Sequence, residues 1–211
     1  MVLRITGPGD RYEEARAIGM QVWEQIQAYA IRNPAFRWSR RPLSVPEDAP
    51  AVAREMAAAA ASAGVGPMFT FRGALTDLVG RSMAADLGEV IVSCGADHFM
   101  RTRHRARMSV GAGPGRRRPL GVVVNPDLGA HGMLATTDAR WLPADSLDGI
   151  VVVARSCMLA DAAAAAAAAI LRRPRSFRAA LSHVRAIDGV FGAVLMKGKA
   201  IGLTGAVELA A

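Results

Sequence analysis

The sequence predicts an α+β fold, an antiparallel β-sheet with helices packed across one face. Two observations lead there. Helical periodicity dominates the N-terminal part of the chain, and the later apolar runs are short and linked mostly as hairpins. Neither a repeat at fixed period nor a dividing linker interrupts the pattern. Residues 1–211 are therefore expected to form one domain, with 1–46 supplying an N-terminal helix and a basic, proline-containing segment.

Composition narrows the function classes. The chain has 211 residues, 52% hydrophobic and only 5% aromatic, so its core is expected to rest on close alanine contacts rather than large rings. Its net charge is +8 with a pI of about 10.8, compatible with nucleic acid, a membrane surface or acidic ligands. Only two of the 26 basic residues, Lys197 and Lys199, are lysines, and arginine-rich composition alone gives the same balance. Cys94 and Cys157 are the sole cysteines, too few for a disulfide framework and without metal-binding spacing. No stretch reaches the roughly 18 apolar residues of a membrane span, and Met1 to Gly9 lacks an apolar run, which leads us to expect a cytoplasmic protein with no membrane partner.

Asp10 to Asn33 reads as an amphipathic helix ended by Pro34, followed by an irregular basic segment from Arg37 to Pro46. A second helix is expected from Glu47 to Ala63, opened by an acidic first turn. A third runs from Met68 to Leu87. Gly73, Asp77, Gly80 and Ala84 share one stripe of it, so something is expected to press close to its backbone, with Asp77 at a tight contact or aimed into a site. Val90 to Val92 is a strand, Cys94 to Asp97 a turn, and His98 starts another strand.

Arg101, Arg103, Arg105 and Arg107 alternate, which on one strand puts four like charges on a face. The choices are a solvated face, phosphate or carboxylate binding, or nucleic acid, the last weakened by the lack of interleaved aromatics. Gly111 to Pro119 is a loop, read as a basic hairpin tip and not as a dinucleotide fingerprint. Leu120 to Val124 and Ile150 to Ala154 are strands, with a loop from Gly129 to Trp141 between them. Asp161 and eight alanines follow as a helix, then a last helix from Ser176 to Ile187. Val190 to Met196 and Ala200 to Leu209 close as a hairpin around Gly198.

Individual chemical signals are weak. The histidines, His98, His104, His131 and His183, lack zinc-site spacing, and no hydrolase elbow occurs. Cys94, in a glycine-containing turn near arginines, is a packed small residue or a nucleophile. Asp161 either caps its helix or supplies a hard-cation ligand.

Several segments resemble one known family in order and spacing. "GPMFTFRGALTD" resembles a Gly-Pro-Met element and matches the spacing of a Lys-Gly-x-x-x-Asp pattern, with Arg72 for lysine and Asp77 for the aspartate. "VIVSCGADHFM" resembles a strand with an Asn-Gly-Gly-Asp turn, "LATTDARW" an Ala-Thr-Ser-Gly loop, and "SCMLADAAAAAAAA" an Ala-Asp-Ala-x-Ala-Thr helix. "GVFGAVLMKGKAIGLTGAVEL" resembles the closing hairpin of the family's short branch. From about Ile31 onward the chain is similar to the ApbE superfamily, best known for FAD:protein FMN transferases, and most of all to its short, uncharacterised branch.

The resemblance implies a ligand site between the Asp77 helix, the Asp97 turn and the Asp161 helix, where transferases hold Mg²⁺ and the FAD pyrophosphate. It casts Arg72 as the binder of an anionic group, Asp77 or Asp97 as acid/base, and Thr136 as orienting the ligand. Gly66, Arg72, Gly73, Gly95, Thr136 and Thr137 are the implied cofactor-binding positions, with FAD or FMN as the cofactor. Asp161 is the implied metal ligand. The metal-binding threonine four residues later is replaced by Ala165, whose methyl offers no oxygen, which counts against Mg²⁺. The turn has become Cys94-Gly95-Ala96-Asp97 and the Ser-Gly of the loop Thr137-Asp138, with Asp138 a possible replacement ligand. The expected function is an enzyme acting on an anionic or heterocyclic metabolite in a retained cleft. The alternatives are a Mg²⁺-dependent FAD:protein FMN transferase and a non-catalytic flavin- or nucleotide-binding module or partner subunit. The expected partner is a small anionic ligand or a flavin and not nucleic acid, and an exposed sheet edge suits a homodimer.

Overall fold

The computed structural model describes residues 3–111, 119–137, 147–171 and 177–210. Strand β1 (Leu3–Thr6) opens the chain, too short and too polar to declare itself in the sequence. Helix α1 (Tyr12–Arg32) buries Ala15, Gly19, Val22, Ile26, Tyr29 and Ala30 along one face. Pro34 does end it, but also opens a short helix, α2 (Pro34–Trp38), because the first helical position tolerates a missing N–H. Helix α3 (Ala51–Ser62) starts later than expected. Pro50 precedes it and disfavours helical backbone at Ala49, so Glu47 and Asp48 lie outside its first turn. The expected helix from Met68 is two pieces, a 3-10 turn at Pro67–Thr70 and α4 (Phe71–Leu87).

Strands β2 (Val90–Cys94) and β3 (Asp97–Arg101) form a hairpin across Gly95, whose φ of 64° suits glycine. Then follow β4 (Ala106–Val110), β5 (Leu120–Val124), β6 (His131–Thr136) and β7 (Gly149–Ala154). Helices α5 (Cys157–Leu171) and α6 (Phe177–Arg185) precede β8 (Val190–Lys197), β9 (Ala200–Gly205) and β10 (Leu209–Ala210). The fold is α+β, as expected. A seven-stranded antiparallel sheet runs β1-β2-β3-β6-β7-β8-β9, and a three-stranded one runs β10-β5-β4.

Strand alternation sorts the core. Leu134, Ile150, Val152, Ala193 and Leu195 face α5 and α6. Met100, Met133, Val151, Val153, Val194 and Met196 face the other way, against Val110, Val122 and Val124 of the small sheet. Helices thus cover one face of the large sheet, and a second sheet covers the other. The alanine run is α5, and its short side chains let it lie against β6, β7, α3, α4 and α6 at once.

Three expectations are corrected. The Gly129–Trp141 loop contains β6, a central strand. Its small residues look loop-like, but Gly132 is there to admit the backbone of α5. The alternating arginines share no face, since β3 ends at Arg101 and β4 begins at Ala106 in the other sheet. The last strand breaks at Gly205, with φ of 72°, and β10 crosses to the small sheet. Residues 112–118 of the basic loop, Asp138 to Trp141 and Ser176 lie outside the described residues. Among the described residues, no helix is long and apolar enough to cross a membrane.

Candidate functional site

On β3, Asp97, Phe99 and Arg101 share the helix-facing side. Phe99 fills the space above Gly80, where a Cβ would come within 2.2 Å of its ring, and Arg101 donates to the Ala84 carbonyl at 3.1 Å. The same alternation sends Asp97 toward the first turns of α4 and α5.

Those two turns touch through backbone. A Cβ on Gly73 would lie 2.5 Å from the Cys157 carbonyl oxygen, and one on Gly132 would lie 2.0 Å from the Cys157 nitrogen. The start of α5 is wedged between these glycines. The side chain at the N-cap of α4 makes no capping bond. At α5, Ser156 Oγ accepts from the Leu159 N–H at 3.1 Å, and each helix is further capped by a carboxylate from the other. Asp77 of α4 accepts from the Cys157 and Met158 N–H groups at 2.8 and 3.0 Å, and Asp161 of α5 accepts from the Gly73 N–H at 2.8 Å. Asp161 therefore does not cap its own helix, which begins a full turn earlier.

Arg72 binds this arrangement together. Its Nε lies 3.2 Å from Asp97 Oδ2 and its Nη2 3.9 Å from Asp161 Oδ1. Both carboxylates are buried, while the Arg72 side chain remains 20% exposed, which makes it the cluster's contact with solvent. Neither oxygen of Asp97 receives a hydrogen bond among the described residues. Burial therefore pushes Asp97 well above the ordinary carboxyl range, and the charge of Asp161 pushes it further. Burial raises Asp161 too, but a hydrogen bond from Asp97 and the charge of Arg72 oppose the rise. Of the two, Asp97 is raised the further. Asp77 is raised by burial, against the pull of its two backbone donors.

The structure thus brings Arg72, Gly73, Asp77, Asp97 and Asp161 together. Gly95 sits at the hairpin tip, where a Cβ would be 3.9 Å from Arg72 Nη1. Thr136 is buried on the helix-facing side of β6, in step with Gly132 and Leu134. Thr137 points its hydroxyl at Gly111, 2.7 Å from where a Cβ there would be. Gly66 serves the turn before α4, since a Cβ there would strike the Ser39 carbonyl oxygen at 1.8 Å. Cys94 is buried, and burial followed by the Asp97 charge pushes its thiol up, the reverse of an activated thiolate. The sequence reading missed Gly132 and the Cys157–Met158 backbone. The close-approach logic applied to Gly73 was equally available for Gly132.

Magnesium is the metal the resemblance implies, and these residues do not fit it. One Asp161 oxygen holds the Gly73 N–H and the other faces Arg72. Ala165 packs a methyl against the apolar core where the transferase pattern has a threonine. Among the described residues, no group of three or more His, Cys, Asp or Glu side chains could hold a metal ion.

Helices crossing one face of an antiparallel sheet are an architecture shared with ApbE proteins of known structure. The crystal structure of the ApbE protein from Thermotoga maritima matches the fold with a TM-score of 0.52 and 11% identity, covering 94% of this chain and 77% of that one. The family described as "AbpE bacteria" matches residues 1–189, and the chain belongs to it. A UPF0280 protein of Methanocella arvoryzae is 30% identical over 174 residues, 81% of this chain and 71% of its own. Another, from Methanosarcina acetivorans, is 27% identical over 186 residues, 86% of this chain and 74% of its own.

Proposed function

We propose that this ApbE-like protein is an enzyme that binds a small anionic or heterocyclic metabolite at Arg72. The observation that carries the reading is the geometry of the cluster: a partly exposed arginine side chain set against two buried carboxyls, one on β3 and one on α5. Arg72 holds the anionic group. Asp97, which burial pushes toward its protonated form, is the general acid. Asp77 is left out of proton transfer, because both its oxygens cap α5. Thr136 orients the ligand from the end of β6. Within this ligand class the family resemblance favours FAD or FMN. The reading includes a cytoplasmic location, a single domain, and a homodimer formed on β9, the edge strand that exposes Ile201 and Leu203.

A thermal-shift panel of FAD, FMN, ADP and small dicarboxylates tests this, each with EDTA and with Mg²⁺. The expected result is a shift indifferent to EDTA and lost in Arg72→Gln. A shift that requires Mg²⁺ would favour FMN transfer instead. Asp97→Asn should retain the shift and lose turnover; if turnover is never found and Asp97→Asn binds as wild type, the protein is a binding module.

A further inference from the structure

We infer that the Arg72 guanidinium occupies the cation position of this cleft. The cluster works without a divalent metal, and becomes a divalent-cation site only when that side chain is removed. The inference stands on the cluster's geometry and not on which ligand binds.

Two buried carboxyls side by side need a positive charge or a shared proton. Here the positive charge is supplied internally. Arg72 reaches Asp97 through Nε and Asp161 through Nη2, at 3.2 and 3.9 Å. The guanidinium is a planar fork, able to address two carboxyls from one side chain as a lysine's point charge cannot. A hard divalent cation would have to approach these oxygens to about 2.1 Å. It would then crowd a guanidinium that already faces both, with like charges close together in a poorly screened interior.

The remaining donors agree. Asp161 Oδ2 already accepts the Gly73 N–H, and Ala165 supplies only a methyl. The two Asp97 oxygens, buried and without a hydrogen-bond donor among the described residues, are the atoms left for a metal once Arg72 is gone. One or two carboxylates with water suffice for such an ion.

Manganese binding followed by electron paramagnetic resonance tests this on the full chain, with and without FAD. Wild type and Asp161→Asn should give the same free-manganese signal. Arg72→Gln should take up about one manganese per chain, lost again in the Arg72→Gln/Asp161→Asn double variant. Manganese bound by wild type and released in Asp161→Asn overturns the inference, as does a folded Arg72→Gln that binds none. If Arg72→Gln folds only with manganese present, by circular dichroism, the inference is supported. If it does not fold even then, wild type against Asp161→Asn decides. An Asp161-dependent metal in wild type would leave the anionic-ligand reading standing. Failure of every ligand to bind would end that reading without touching the metal result.

Discussion

Asp77 and Asp161 look alike in the sequence, each a carboxylate with mostly apolar neighbours within a helix. The structure uses both as caps for a neighbouring helix, and that pairing of distant residues was not legible in local pattern. What was legible was that the stripe holding Gly73, Asp77 and Gly80 must meet something close. Asp77→Ala should destabilise the fold by about 1–3 kcal/mol for each buried N–H left unmade, while Asp77→Asn, keeping one acceptor, should recover part of the loss in urea denaturation. Asp97 carries a different signature. Its folded form holds a proton more tightly than the unfolded chain, whose carboxyl titrates near 3.8. As pH rises from there, the unfolded state releases its proton first, so this residue's contribution to stability falls. His98 acts in the opposite sense. Burial holds it at about 4 against an ordinary 6.5, so stability is lost as pH falls through that interval. Urea midpoints of wild type and Asp97→Asn at matched pH separate the two. The variant should lack the decline above pH 4, and identical slopes would show that Asp97 is not protonated in the fold.

At the scale of elements, the start of α5 is the keystone. Glycines on α4 and β6 meet the backbone of Cys157 from two sides. Gly73→Ala puts a methyl against a carbonyl, with no side chain to rotate away, and should cost at least the 1–3 kcal/mol typical of overpacking. Gly80→Ala meets the ring of Phe99 instead, so Phe99→Leu should rescue it partly, whereas no side-chain change should rescue Gly73→Ala. Equal rescue of both in thermal melts would count against the wedge. The helices and most strands could be read from periodicity, and the alanine run from length and context. The β6 strand could not, because glycine and hydroxyl residues chosen for packing mimic a loop. The arginine row failed for the converse reason: alternation alone does not reveal that a turn falls inside it.

For the whole molecule, the class of fold followed from early helices and hairpin-linked strands. The second sheet did not, since β10 joins β5 across a long separation and only the apolar face of Met133, Val151 and Val153 hints that something lies on it. The consequence for function is that the large sheet is covered on both sides, and the three acidic positions are drawn to one end of its helix layer around Arg72. Titration calorimetry of FAD, a pyrophosphate-bearing probe, into wild type and Arg72→Gln in EDTA is the most direct check of that arrangement. Binding should persist in EDTA and weaken at least about tenfold, roughly 1.4 kcal/mol, in the variant. Binding that appears only when Mg²⁺ is added, or that Arg72→Gln leaves unchanged, would contradict it.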